Sequence, residues 1–180
     1  MEKKPNPLYC DALVNDKPYK IGDWKNIPEI KDTPSEVKGF FGDYRYLSNF
    51  EKCYIELDGV IYSSVEKAYQ AAKWQPDSRI FFLSCKNEDA IAHNLKFKPN
   101  GYTHEMWDVI KVAVMDHLVA QKFNPTLNPD LYKRLLATGD KYLEETNWWN
   151  DTFWGKNLKG EGENHLGQIL MQTRDKLRNF

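Results

Sequence analysis

Cysteine is scarce in this chain. Cys10, Cys53 and Cys85 are three among 180 residues, an odd number with no C-x-x-C spacing. That excludes a disulfide scaffold and points to reduced thiols in a cytoplasmic protein. Long apolar runs are also missing. No stretch reaches the length of a membrane span, and the start, M-E-K-K-P-N-P, lacks the apolar core of a signal peptide. A soluble cytoplasmic protein with no membrane partner is expected. Excess charge is missing too: Lys plus Arg number 25 against 26 Asp plus Glu, a net −1. That balance argues against a general nucleic-acid coat, though it leaves room for a local basic pocket.

Familiar reaction motifs are absent as well. There is no G-x-G-x-x-G, and Gly155-Lys156 is followed by Asn157, not by the Ser or Thr of a phosphate loop. No G-x-S-x-G elbow occurs. His93, His104, His117 and His165 are dispersed without metal-ligand spacing. No metal and no cofactor are assigned.

What is present is a chain long enough for one domain with a real core. Aromatics make up 14%, with tryptophan concentrated late. Residues 1–38, broken by Pro5, Pro7, Pro18, Pro28 and Pro34, read as an irregular arm pinned to the body by Leu8, Tyr9, Leu13, Val14, Tyr19 and Trp24. Residues 39–180 read as the domain. Residues 42–50 read as strand then loop. Two β-prone runs, 53–57 and 60–62, flank Asp58-Gly59, a strong hairpin signal. A short buried helix is expected over 78–85 and another helix over 87–94, capped by Asn87. Thr103 caps a long helix to Lys122, with Trp107, Ile110, Val114, His117, Leu118 and Gln121 as its stripe and Val112, Ala113 and Met115 widening it. Asn128 and Pro129 start another helix, which Gly139 ends. Residues 142–146 suit a strand and 147–162 a Trp-rich loop. Asn164 caps the last helix, with Leu166, Ile169, Leu170, Thr173 and Leu177 inward. Strands and helices do not alternate. The fold class is therefore α+β and mainly α-helical, with a small hairpin sheet.

Residues 63–73, S-S-V-E-K-A-Y-Q-A-A-K, follow the hairpin. As a helix they bury Val65, Ala68, Tyr69 and Ala72. Glu66, Gln70 and Lys73 align beside that stripe, so a carboxylate, an amide and an amine border the core. A structural role is also available: Ser63 and Glu66 fit a capping box, and Lys73 a last-turn cation. Asp151, in N-D-T-F-W-G, is by itself most simply a turn residue, and Trp107, Trp154 and Asn164 are most simply core and cap.

In order, these pieces resemble a known family, the NADAR superfamily, also called YbiA-like. The matching elements are L-S-N-F at 47–50, the D-G hairpin, S-V-E-K-A-Y-Q-A-A-K, Trp107, Lys122-Phe123, L-L-A-T-G-D at 135–140, Glu144, D-x-x-W-G at 151–155, and G-E-N-H-L-G-Q-I-L-M with Arg174. They span about residues 39 to 178. Many members carry His where this chain has Lys67.

The resemblance implies a single YbiA-like domain and N-glycosidic chemistry on a nucleotide-like substrate. Candidates are ADP-ribose linked to guanine, free or on nucleic acid, and a phosphoribosylamino-pyrimidine of the riboflavin pathway. The alternative is a non-catalytic ADP-ribose-binding module. Two routes to C1′–N cleavage stay open. Glu66 and Asp151 can act as a carboxylate pair. Lys73, if neutral, can attack C1′ and form a Schiff base, assisted by Glu66; the resemblance leans towards this second route. For binding, Trp107 and Trp154 can stack on a base. Ser48, Asn49, Gln70 and the amides around Gly155 can hold ribose or phosphate oxygens. Asn164 can add helix-start N–H donors, and Arg45 is a candidate phosphate fork.

Overall fold

The computed structural model describes residues 30–179, together with the backbone of Leu13–Val14 and Lys17–Pro18. β1 (Leu13–Val14) pairs antiparallel with β2 (Lys17–Pro18). Leu8, Tyr9, Cys10, Tyr19 and Trp24 lie outside the described residues, as do the side chains of Leu13 and Val14. The rest is α+β and mainly helical, as the pattern predicts, with two more two-stranded sheets. The chain divides into two compact units, Met1–Ser48 with Gly139–Gln172, and Asn49–Thr138 with Thr173–Phe180.

In the first unit β3 (Glu36–Lys38) runs parallel to β6 (Tyr142–Glu144), with Val37 opposite Leu143. Both of those side chains are fully buried. The end of the expected arm is thus a strand. Residues 42–47, expected as a strand, form a 3-10 turn instead, Gly42–Leu47. Its start requires the positive φ of Gly42, at +53°, which glycine adopts without a Cβ clash. Tyr46 and Leu47 are buried from this turn. α6 (His165–Arg178) begins in this unit and continues into the second. It approaches β6 closely: a Cβ on Gly167 would lie 2.1 Å from the Leu143 carbonyl oxygen. As expected, Leu166, Ile169, Leu170 and Thr173 are buried, as is Arg174, while Leu177 at the end of the expected stripe is half-buried.

The second unit starts with the predicted hairpin, β4 (Ile55–Leu57) and β5 (Val60–Tyr62). Asp58 and Gly59 both take positive φ, +52° and +76°, which matches the primed turns that fit strand twist. The open edge of β4 is occupied by side-chain amides. Gln121 exchanges bonds of 2.8 and 2.9 Å with the Glu56 backbone, and Asn128 bonds of 2.8 and 3.0 Å with that of Tyr54. An edge satisfied this way cannot template another strand.

α1 (Val65–Ala72) follows. Ser64, not Ser63, is its cap: the Ser64 hydroxyl accepts from the Lys67 amide at 3.2 Å. The third helical position is therefore Lys67, and the Ser63–Glu66 box does not form. After a 3-10 turn at Pro76–Ser78 come α2 (Phe81–Ser84) and α3 (Asn87–Lys96). Only Phe82 of α2 is buried. Lys86, not Asn87, caps α3, because the Asn87 side chain is engaged with Ser64 and the Phe50 carbonyl. α4 (His104–Lys122) is capped by Thr103 as predicted. Its buried stripe is Trp107, Met115, Leu118, Val119 and Lys122, so His117 is exposed and bonds Gln121. α5 (Pro129–Ala137) starts after Asn128 and ends before Gly139 at φ +59°. No helix among the described residues is long and apolar enough to cross a membrane.

Candidate active site

α1 is buried along its whole length, polar positions included. Glu66 and Gln70 are each 8% exposed. Buried polar side chains need partners, and these supply one another. Gln70 Nε2 donates to Glu66 Oε1 at 2.8 Å. Lys73 Nζ donates to Gln70 Oε1 at 2.8 Å. The three residues aligned by the sequence thus form one connected row, because i, i+4 and i+7 share a helix face.

The amine at the end of that row is unusual. Lys73 is the C-cap of α1, one residue past its last turn, and its carbonyl accepts from the Gly101 amide at 3.0 Å. Its Nζ lies 5.1 Å from the Tyr69 ring centroid and 5.6 Å from that of Trp107. The two rings are 5.1 Å apart and tilted. Burial pulls the Lys73 pKa from 10.5 down to about 8; the Glu66 carboxylate pushes it up, and Lys111 pushes it down again. Lys111 is itself held by Asp108 at 2.7 Å. The opposition between desolvation and the nearby carboxylate is thus decided for desolvation. A substantial share of neutral amine is available near physiological pH.

Neighbours from α3 and the α1 exit complete the row. Asn94 Nδ2 donates to Gln70 Oε1 at 2.6 Å and to the Gln70 carbonyl at 3.1 Å. The Trp74 indole N–H donates to Asn94 Oδ1. Sequence reasoning missed both residues. The signal available was faint: an asparagine inside a helix, where its propensity is poor. Lys67 points elsewhere, bonding Ser63 Oγ at 3.0 Å. Asn49, also in the second unit, accepts the Glu66 amide on its carbonyl at 3.0 Å. Its Nδ2 contacts Met115 Sδ at 3.4 Å, and its Oδ1 is buried without a hydrogen-bond partner. A groove of about 420 Å³ between α2 and α3, lined by residues such as Phe81, Cys85, His93 and Phe97, includes none of the row.

The remaining expected residues belong to the first unit. Asp151 Oδ1 accepts from the Phe153 amide at 3.1 Å and the Trp154 amide at 2.9 Å, closing the turn of the Trp-rich loop. Asn147 braces the same loop, bonding the Asp151 and Lys156 carbonyls at 2.8 and 3.1 Å. Gly155 is required by closeness: a Cβ there would lie 2.1 Å from the Glu145 carbonyl. Trp154 stands edge-on to Phe153 at 5.0 Å. Arg45, exposed, donates to the buried Ser48 hydroxyl at 3.0 Å. Asn164 adopts φ +56°, and its side chain bonds Glu145 N–H, Leu143 C=O and Tyr142 O–H. It therefore ties the start of α6 to β6, and its side chain does not cap the helix. Among the described residues no group of His, Cys, Asp and Glu could hold a metal ion. Cys53 is buried and Cys85 half-buried, both free.

The NADAR domain model matches residues 35–178. A riboflavin biosynthesis protein of Vibrio vulnificus is 38% identical over 146 residues, which are 81% of this chain. The chain spans only 37% of that protein's length. An N-glycosidase of Nostoc punctiforme is 31% identical over 76% of this chain and 88% of its own length. N-glycosidase YbiA of Escherichia coli is 29% identical over 82% and 91%. The NMR structure of Escherichia coli YbiA superposes with a TM-score of 0.69 at 26% identity, covering 86% of this chain and 90% of that one. The chain belongs to the NADAR domain family, among whose members are proteins named as N-glycosidases.

Proposed function

We propose that this chain is an N-glycosidase that breaks a ribose C1′–N bond in a nucleotide-like substrate, with Lys73 as nucleophile and Glu66 as proton donor and acceptor. The observation that carries this reading is the Lys73 amine. It is largely buried, lowered to about 8, set beside two aromatic faces, and linked to a buried carboxylate through one amide.

The chemistry uses a neutral amine. A proton passes to O4′ as the C1′–O4′ bond opens, and the base nitrogen's electron pair forms a C1′=N bond. Neutral Lys73 adds to C1′. The C1′–N bond to the base then breaks, the base leaving with a proton, and C1′ stays joined to Lys73 as an imine. Water adds to that imine and releases an open aldose and the free lysine. Glu66 gives and retakes the protons at its own carboxyl, which Gln70 holds in place. The aromatic faces of Tyr69 and Trp107 exclude water from the amine and favour a flat base. The two-carboxylate route has less support, because one oxygen of Asp151 is engaged by two backbone amides.

The substrate class is a ribose joined to a flat heterocycle: ADP-ribose on guanine, or a phosphoribosylamino-pyrimidine. The names of the Vibrio and Nostoc relatives support that class. The test is a panel of both substrates followed by mass spectrometry for released base, with borohydride added to trap the imine. A base-release activity and a trapped adduct that vanishes in Lys73→Ala are expected. Tight binding across the panel with neither release nor adduct would make the chain a binding module instead.

A further inference from the structure

We infer that Asn94 is a positioning residue: held by Trp74, it fixes which end of the Gln70 amide faces Lys73 and which faces Glu66. The inference rests on the reading of Lys73 as the reacting amine, but its geometry stands apart from any substrate.

A glutamine amide has two ends of nearly equal shape and opposite polarity. In isolation, Gln70 can present either end to Lys73. The surrounding donors remove that freedom. An indole N–H can only donate, so Asn94 must turn its Oδ1 towards Trp74. Its Nδ2 then faces Gln70 and donates twice, to Oε1 at 2.6 Å and to the backbone carbonyl at 3.1 Å. Gln70 Oε1 is therefore pinned on the side shared with Lys73, 2.8 Å from Nζ. Its Nε2 is left to meet Glu66 Oε1 at 2.8 Å. Turning the amide over would set N–H against N–H at Asn94 and oxygen against carboxylate at Glu66. Each such contact replaces a buried hydrogen bond by a repulsion. The polarity that Glu66 favours is thus locked from α3, by a residue that is bonded to neither the amine nor the carboxylate.

The groups facing Lys73 from every packed element are Glu66 and Tyr69 on α1, Trp107 and Lys111 with its partner Asp108 on α4, and the neutral Asn94–Gln70 pair. Among them, only the amide pair changes in the variants Asn94→Leu and Trp74→Phe. Trp74→Phe keeps an aromatic ring beside Phe82 and His93 while removing the N–H.

The readout is the titration of Lys73, followed by competitive acetylation of the substrate-free protein with acetic anhydride and peptide mass spectrometry. In Asn94→Leu the ammonium loses its fixed acceptor and gains an apolar neighbour, so its midpoint falls by about one unit, about a tenfold change in neutral amine. Trp74→Phe shifts it the same way by less. In a Gln70→Met background, Asn94→Leu adds nothing, because the two act as a unit. Circular dichroism confirms that each variant is folded; if Asn94→Leu is not, Trp74→Phe carries the test. Equal shifts with and without Gln70, or no shift in a folded Trp74→Phe protein, would overturn the inference. If wild type gives no trapped adduct on any substrate yet the titration still couples Asn94 to Gln70, the positioning holds and the glycosidase reading falls.

Discussion

Gln70 Oε1 lies 2.8 Å from Lys73 Nζ, and the same residue's Nε2 lies 2.8 Å from Glu66 Oε1. One amide therefore stands between an amine and a carboxylate two turns apart on α1. A direct pair favours the ammonium; separation lets burial dominate and leaves a usable nucleophile.

The first consequence is kinetic. Imine trapping on substrate rises with pH up to about 8 and levels off above it, following the neutral fraction of Lys73. The measurement is the borohydride-trapping rate across that range. A profile flat through it would speak against an amine nucleophile.

The second concerns stability. The folded chain releases the Lys73 proton near about 8, against 10.5 for an unperturbed lysine. Between those values the unfolded state holds more protons, so raising the pH favours folding; below them the cost of the buried ammonium is in full force. Lys73→Met is expected to be more stable than wild type at neutral pH by about 1–3 kcal/mol. The gap should narrow as the pH climbs towards 10.5. Paired urea titrations at several pH values check this; a gap that widens would be the wrong sign.

Glu66→Gln removes a charge while keeping the shape. Lys73 loses the carboxylate that pushes its pKa up, so its midpoint falls further. If Glu66 moves the protons, base release drops by about 10²–10⁴-fold while substrate affinity changes little. Activity equal to wild type would remove Glu66 from the reaction.

Two adjacent serines should separate cleanly. Ser64→Ala deletes the α1 cap and a 2.6 Å bond to Asn87, and is expected to cost about 1–2 kcal/mol. Ser63→Ala loses only the bond from Lys67 and should cost less. Denaturant midpoints of the two variants give the comparison.

Gly101→Ala reaches the amine from behind. A Cβ there would sit 2.5 Å from the Lys73 carbonyl oxygen, and the Gly101 amide already bonds that oxygen. The end of α1 must shift, at a cost of about 1–3 kcal/mol, and trapping should slow more than global stability falls. Unchanged trapping in a destabilised protein would show that the lysine is insensitive to its backbone.

Much of this was legible where the cause is local. Asp58-Gly59, Thr103, Pro129 and Gly139 act on their own turn or cap, so their residue types suffice. The Glu66–Gln70–Lys73 row follows from helix spacing alone. What escaped is set by distant partners. Ser63 and Ser64 are equally good caps in sequence, and the choice shows only in the folded helix. β3 is three residues long and becomes a strand only against β6. The inward face of α4 is turned so that Lys122 is buried and His117 is not, a rotation its mixed apolar pattern does not fix. Asn94 and Trp74 join the row only because α3 packs on α1. In the first unit, Asp151 carries the turn bonds its residue type suggested, whereas the Asn164 side chain ties α6 to β6 and does not cap it.

The β3–β6 pair also bears on how the chain is made. Val37 and Leu143 are joined across roughly a hundred residues, a closure whose entropic cost is met late. A ribosome releases Val37 long before its partner exists, while β4 through α5 emerge in between and pack on one another. The segment carrying Glu66, Gln70, Lys73 and Asn94 can thus begin to order as an insertion within a unit still waiting for its second half. Synthesis arrested before Tyr142 would leave β3 with no strand to pair with, yet the lysine's own surroundings already in the chain.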